Sequence, residues 1–316
     1  MKILVPLKNN ENIETYSIAG ADELYIGFYD VEWENTFGEY VDLNRMSALK
    51  SKANELTIDQ ISETVALVHK NEKKCFITLN ANVYSDAQIP FIEKYLTKLS
   101  QYQVDGIIVS SPQIIPLILK HNLEPVASTM CAIYNTEAVR YYYNAGVKRI
   151  ILPRELSLSE ISEIIKAYPQ IDFEVFLMRN GCVFSDSNCL CIHKKTFGGI
   201  CHALKEAKYE MHMADSSFAN RFEFQNNHFL YTNGLMKNAC GLCAIYRLIQ
   251  MGVYSGKIVG RVDRSSGIIE DIKNVRNNIE IALHSKTEEE YLNNMIIPSR
   301  RQSTCGLSCY YPDIRF

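Results

Sequence analysis

The sequence predicts an α/β chain of the TIM-like (β/α)8 barrel class, with a cysteine-rich insertion near its C-terminal strands. Three observations carry that prediction. Short apolar runs alternate with amphipathic stretches from residue 2 to residue 178, the pattern of parallel strands joined by helices. A later strand, Gly256–Val259, follows the helical pattern Leu242–Gln250 and brings the total to about eight. No Gly-x-Gly-x-x-Gly follows the first strand, which disfavours the alternative, an open doubly wound sheet.

The other predicted strands are Lys2–Leu7, Glu23–Phe28, Cys75–Asn80, Gly106–Ser110, Pro125–Thr129, Arg149–Leu152 and Glu174–Met178. Predicted helices fill the intervals: Glu11–Ala19, Ile58–His69, Ile89–Leu99, Gln113–Lys120, Thr136–Asn144 and Leu158–Ala167. Thr57 with Gln60, Asn135 before Thr136, and Ser157 with Glu160 are the expected N-terminal caps, and Gly20 and Gly146 suit left-handed C-terminal caps. Two stretches break the rhythm: a long polar excursion at 30–56 and the cysteine- and histidine-rich insertion at 179–240. The expected organisation is a barrel over 1–261 that includes this insertion, followed by a C-terminal helix and tail over 262–316 packing on it. That last segment reads as a helix, Ile268–Leu283, then a charged stretch and a loosely ordered tail.

Composition narrows the function classes. Hydrophobic residues at 47% and charged residues at 22% describe an ordinary globular chain, and exclude disordered, collagenous and disulfide-knot classes. The formal net charge of -3 gives no global basic field of the kind that non-specific nucleic-acid binding uses, though a local basic patch is compatible with it. The opening apolar stretch is too short for a signal-peptide core, and no run of 18 apolar residues occurs, so the expectation is a cytoplasmic protein without a membrane span.

Ten cysteines are an excess for a reducing compartment, where such clusters bind metals or act chemically more often than they form disulfides. Cys75, in a strand, and Cys131 read as small core residues. Cys182, Cys189, Cys201 and Cys240 lie on loops flanking the last two strands, where a barrel gathers distant loops at one face. Four thiolates meeting there would make an iron–sulfur or tetrahedral zinc site. Cys191 and Cys243 are close by, so spacing alone does not select the four. Cys240-Gly241-Leu242-Cys243 resembles half of a zinc ribbon, but a second Cys-x-x-Cys is absent.

A series of short elements resembles the collagenase-like peptidase family, peptidase family U32. They are Gly20-Ala21-Asp22-Glu23-Leu24-Tyr25-Ile26-Gly27, Thr78-Leu79-Asn80, Val104 to Ser110, Ser128-Thr129, Gly146 to Leu152, Arg154 to Leu158, Glu174-Val175-Phe176, and Gly252-Val253-Tyr254-Ser255 running into Lys257 to Arg261. The resemblance implies the barrel and, by likeness to the family's oxygen-independent hydroxylation factors, a 4Fe-4S cluster. The family register selects Cys182, Cys189 seven residues on, Cys201 closing Gly199-Ile200-Cys201, and Cys240 twelve residues before Gly252. This chain departs from the family pattern at Met178-Arg179, at Phe184-Ser185-Asp186-Ser187-Asn188, at Met130 and at Lys205. Those changes weaken transfer of a particular substrate or of peptidase activity.

Hydrolytic machinery is not visible: there is no His-Glu-x-x-His and no Gly-x-Ser-x-Gly. His193 and His202 lie near cluster cysteines, either as solvated loop residues or as bases. Asn80, Ser128, Arg154, Glu155 and Arg261 fall near strand ends and are candidate substrate-binding residues, with Arg154 and Arg261 as bidentate anion donors, or Arg154 and Glu155 as a helix-capping ion pair. Tyr141, Tyr142 and Tyr143 read as helix packing residues in preference to a base-stacking platform. The expected activity is oxygen-independent hydroxylation or a related modification of a small molecule or RNA base. The alternatives are a peptidase and a non-catalytic iron–sulfur partner of a homologous subunit. No residue pattern chooses among small-molecule, RNA and peptide substrates, or between a homo-oligomer and a complex with a homologous partner.

Overall fold

The computed structural model describes residues 1–38, 41–182, 185–189, 238–299 and 308–314. Eight strands close into a parallel barrel in sequence order: β1 Lys2–Pro6, β2 Glu23–Ile26, β3 Lys74–Leu79, β4 Gly106–Val109, β5 Pro125–Ala127, β6 Arg149–Ile151, β7 Asp172–Met178 and β8 Ser255–Ile258. Closure is made by β1 against β8, with Ile3 opposite Gly256. The strands are buried almost throughout because helices cover the outer face while side chains fill the lumen.

The helices are α1 Ile13–Ala19, α2 Val31–Phe37, α3 Ile61–Lys70, α4 Ile89–Gln101, α5 Ile115–Lys120, α6 Thr136–Asn144, α7 Leu158–Ala167, α8 Ile245–Gln250, α9 Ser265–His284 and α10 Glu288–Asn294. The caps form as the sequence predicts. Thr57 with Gln60 and Ser157 with Glu160 make reciprocal capping boxes, and Asn135 accepts from the Ala138 amide. Gly20 ends α1 at φ 113°, a left-handed geometry that a side chain would strain. Tyr142 is buried while Tyr141 and Tyr143 face outward, as packing at helical spacing requires.

Three segments differ from the sequence expectation. The polar excursion contains α2, capped by Asp30, whose carboxylate accepts from the Glu32 and Trp33 amides. Trp33 is 2% exposed and packs edge-on against Phe37 and Phe91, so a helix too short to display a period is fixed by tertiary aromatic contacts. The charged stretch after α9 holds α10, capped by Thr287 and pinned by the fully buried Tyr291. The tail is not loose where it is described: Tyr310 and Tyr311 are buried, the Tyr311 hydroxyl donates to Phe176 O at 2.9 Å, and Cys309 pairs with Cys240 in a parallel bridge. Two aromatic side chains bury enough apolar surface to hold this short segment.

Among the described residues no helix is long and apolar enough to cross a membrane.

Candidate functional site

The lumen is charged rather than aliphatic. Near its lower end Arg149 donates to Glu23 at 2.9 and 2.5 Å and to Glu174 at 2.6 Å, and Glu174 accepts from Lys257 at 3.0 Å. Two carboxylates and two cations make this a neutral set, all of it buried. Burial alone would raise the Glu174 carboxyl, but Lys257 and Arg149 outweigh it and hold its pKa below the usual range.

Above this set, at the C-terminal ends of the strands, lies a cavity of about 280 Å³. This is the face where barrel enzymes carry their sites. Its wall includes Cys182, Cys189, Asn80, Ser128, Arg154 and Arg261. Each arrives from a loop that follows a strand. Asn80 follows β3 and its Oδ1 accepts from the Arg45 amide at 3.1 Å, tying it to the segment whose Arg45 and Met46 line the cavity. The Ser128 hydroxyl accepts from the Met130 amide at 3.3 Å, so part of its capacity is spent on the local turn.

Asp186 organises one side of the cavity. Its carboxylate meets Arg45 at 2.6 Å and Arg154 at 2.7 Å, and accepts from Thr129 at 3.4 Å. Burial would raise this carboxyl, but Arg154 and Arg45 together hold its pKa at about 2. Arg154 also lies over the Phe176 ring at 4.0 Å and donates to Asn180 O. It therefore does not pair with Glu155, which is exposed, accepts from the Tyr134 hydroxyl at 3.4 Å and is not part of the cavity wall.

Arg261 is held differently. Its Nη1 donates to two neutral groups, Asn54 Oδ1 at 3.0 Å and Thr78 Oγ1 at 3.3 Å, and its guanidinium lies 5.9 Å from the Tyr25 ring centre. Gly27 makes room for this: a Cβ there would collide with Asn54, Arg261 and Thr78. Among the described residues no carboxylate lies within ion-pair distance of Arg261, although it is 7% exposed. Burial, with Arg45 adding repulsion, lowers its pKa to about 10. Among the described residues Arg45 and Arg154 share Asp186 while Arg261 meets no carboxylate, so the described wall carries excess positive charge. A buried cation without a counter-ion is costly, and an anion entering the cavity relieves it.

The cysteines divide. Cys182 and Cys189 are on the cavity wall, with Asn82 donating to Cys189 O at 2.8 Å. Burial, with the nearby Cys189, pushes the Asp42 carboxyl up to about 7. Cys240 is not on that wall; it pairs with Met178 at the end of β7 and with Cys309 in the tail. Cys201, Cys191, Cys305, His193 and His202 lie outside the described residues. Cys75 is buried in β3, as expected of a core position, whereas Cys131 is half-buried, packs against the core and donates its thiol to Val109 O. Among the described residues no three His, Cys, Asp or Glu side chains are gathered closely enough to hold a metal ion.

The sequence reading missed Arg45 and Asp186, whose ion pair joins positions 141 residues apart. No local spacing marks such a pair. The described wall of the cavity contains no His, Asp or Glu.

A family model described as peptidase family U32 matches residues 8–312. The chain is 28% identical over 192 residues to the tRNA hydroxylation protein P of Helicobacter pylori strain J99, covering 60% of this chain and 42% of that protein. It is 28% identical over 268 residues to the tRNA hydroxylation protein P1 of Bacillus subtilis, covering 83% and 58%. It is also 29% identical over 196 residues to the 23S rRNA 5-hydroxycytidine C2501 synthase of Escherichia coli, covering 62% and 27%. The chain thus spans less than two thirds of the length of each of these relatives.

Proposed function

From the premise that the chain belongs to peptidase family U32, we propose that it holds a 4Fe-4S cluster at the cavity and acts in oxygen-independent hydroxylation or a related modification of an RNA base. One observation carries the reading: two thiols, Cys182 and Cys189, share a wall with cations that outnumber their carboxylate. A thiolate-bound cluster is a negatively charged electron carrier, and the cations suit both it and an anionic reactant. The fit rests on these two thiols; Cys201 and Cys240 complete the ligand set by resemblance alone. Zinc in place of the cluster is the chemical alternative.

The residues of the chain then have distinct tasks. Arg261 offers Nε and Nη2, which make no hydrogen bond among the described residues, to an anionic group of the reactant. Asp186 holds Arg154 and Arg45 in place, and Asn80 anchors the backbone at Arg45. When bound, the cluster would serve as the electron carrier for a reaction that withdraws two electrons from the base.

The test begins with anaerobic purification, iron and acid-labile sulfide analysis and an absorption spectrum. About four irons and four sulfides per chain, lost in Cys182→Ala and Cys189→Ala but kept in Cys75→Ala, are expected. One zinc, or no metal, would remove the cluster. Nucleoside mass spectrometry of RNA from cells with and without the protein should then reveal a hydroxylated base that disappears; unchanged RNA alongside an intact cluster would redirect the reading to a small-molecule substrate.

A further inference from the structure

Hydroxyl groups form a continuous chain from the cavity wall to the protein surface. Ser185 is on the wall. Its Oγ lies 2.6 Å from the Tyr134 hydroxyl, and that hydroxyl donates to Glu155 Oε1 at 3.4 Å. Ser187 braces the middle of the chain, with its Oγ 2.6 Å from Ser185 Oγ and 3.2 Å from Tyr134 Oη. Ser185 and Tyr134 are half-buried and Glu155 is exposed, so the chain runs from the interior outward.

The surroundings keep each link available. Ser185 holds the N-cap position of the 3-10 turn Asp186–Asn188, where a serine hydroxyl ordinarily accepts from a backbone amide, yet it makes no such bond. Its hydroxyl is turned to Tyr134 and Ser187 instead. The neighbouring Asp186 is pinned by Arg45 and Arg154, which fixes this turn beside the cavity. Tyr134 packs its ring against the core and leaves the hydroxyl at the junction of the two loops. Glu155 joins no ion pair among the described residues, so its carboxylate is able to take a proton on one side and give it to water on the other. Asp186 is the opposite case: the two guanidiniums hold its pKa at about 2, and a carboxylate kept ionised in this way is a clamp and not a carrier.

We propose that Ser185, Tyr134 and Glu155 form a proton relay between the cavity and solvent; it serves the base modification proposed above and rests on that reading. A reaction that withdraws two electrons from a base and sets oxygen in place of a ring hydrogen sheds that hydrogen as a proton. In the relay Ser185 Oγ takes a proton from the cavity as its own passes to Tyr134 Oη, and the Tyr134 proton passes to Glu155 Oε1. At each hydroxyl one O–H bond forms and one breaks, no electrons move, and Glu155 releases the proton to water. Rotation of the two hydroxyls then restores the starting arrangement. The geometry supports this direction, because either oxygen of the Ser185 and Tyr134 pair serves as donor while Tyr134 donates to Glu155. The link to Glu155 is the longest, and it sits at the solvent end, where an exposed side chain closes the distance readily. Glu155 thus acts on the cavity from outside its wall, through two hydroxyls.

The test follows the hydroxylated base in RNA by nucleoside mass spectrometry after the full chain is induced in cells that lack it, at matched protein level, with iron and sulfide measured on each purified chain. Tyr134→Phe keeps the ring, and Glu155→Gln keeps an acceptor oxygen toward Tyr134 at an exposed position, so both variants should fold and retain iron. Each should slow the appearance of the base by roughly a hundred-fold, the scale of a positioned proton-transfer group. Glu155→Asp should recover most of the rate. The double variant should be no slower than either single one, because the two side chains serve one path in series. A rate within about two-fold of wild type in either single variant, or a double variant slowed by the product of the two, overturns the relay and leaves the proposed function standing. Slowing that tracks lost iron shows a structural role and overturns the relay as well. A wild type that yields no hydroxylated base removes the proposed function, and the relay with it.

Discussion

The two halves of the barrel lumen treat charge in opposite ways. The lower half closes its account: Glu23 and Glu174 meet Arg149 and Lys257, and no net charge remains. Among the described residues the upper half gives Arg45 and Arg154 one carboxylate, Asp186, gives Arg261 none, and places two thiols on the same wall. A self-contained ion set needs nothing from outside and serves the fold. An incomplete one costs stability that a visiting or resident negative group would restore. The lower set is therefore scaffold and the upper set is site, and substitutions in the two halves should separate along that line.

The largest expected effect lies in the lower half. Glu174→Gln removes the carboxylate that bridges Arg149 and Lys257, and breaking a buried pair from one side costs about 3–5 kcal/mol. Urea denaturation should show a matching fall in unfolding free energy. A fall below 1 kcal/mol would mean that water or a rearranged Glu23 compensates, and the contrast between the halves would blur.

Next in size is Asp186→Asn in the upper half. The Asp186 pKa of about 2 lies below the ordinary carboxylate range, so its ionised form favours the folded state by about 2 kcal/mol. This contribution is complete above the unfolded-state pKa, near 4, and is lost as pH falls toward 2. The variant should be less stable than wild type at pH 7, and the difference should shrink on acidification. A constant difference from pH 7 to pH 2 would show that Asp186 acts by packing and not by charge.

Much of the scaffold was legible because it is local. The strand runs, the capping boxes at Thr57 and Ser157, and the glycine at position 20 all announce themselves within a few residues. The site was legible only where resemblance or strand-end position pointed, as at Cys182, Cys189 and Arg261. Arg45 and Asp186 were invisible because their partnership depends on closure of the barrel. Asp186 lies in a stretch that departs from the family pattern, so a departure that weakens transfer of a substrate also marks the group that positions two arginines. Glu155 was placed at the site by its position after a strand end, but the side chain beside Arg154 turns outward.

Arg261→Met should reverse the sign. Replacing a buried cation that lacks a counter-ion with an apolar side chain of similar length removes an uncompensated charge, so the ligand-free chain should gain about 1–2 kcal/mol. The same variant should lose anionic-reactant binding and the RNA modification. A destabilised variant would mean that the bonds to Asn54 and Thr78 outweigh the charge. Retained activity would remove Arg261 from the site.

The smallest effect tests how the tail joins the two regions. The Tyr310 hydroxyl donates to Arg179 O, while its ring stacks on Phe176 at 6.0 Å and lies 5.9 Å from the Arg154 guanidinium. Tyr310→Phe keeps the ring and removes one buried hydrogen bond, costing about 0.5–1.5 kcal/mol. If the tail only covers the end of β7, that loss should appear in global unfolding and leave iron and ligand binding unchanged. If it also holds Arg154 against Phe176, Tyr310→Ala should weaken anion binding while Tyr310→Phe does not, because the ring and not the hydroxyl borders the cavity wall. Equal behaviour of the two variants in binding would separate the tail from the upper half of the lumen and confine its role to stability.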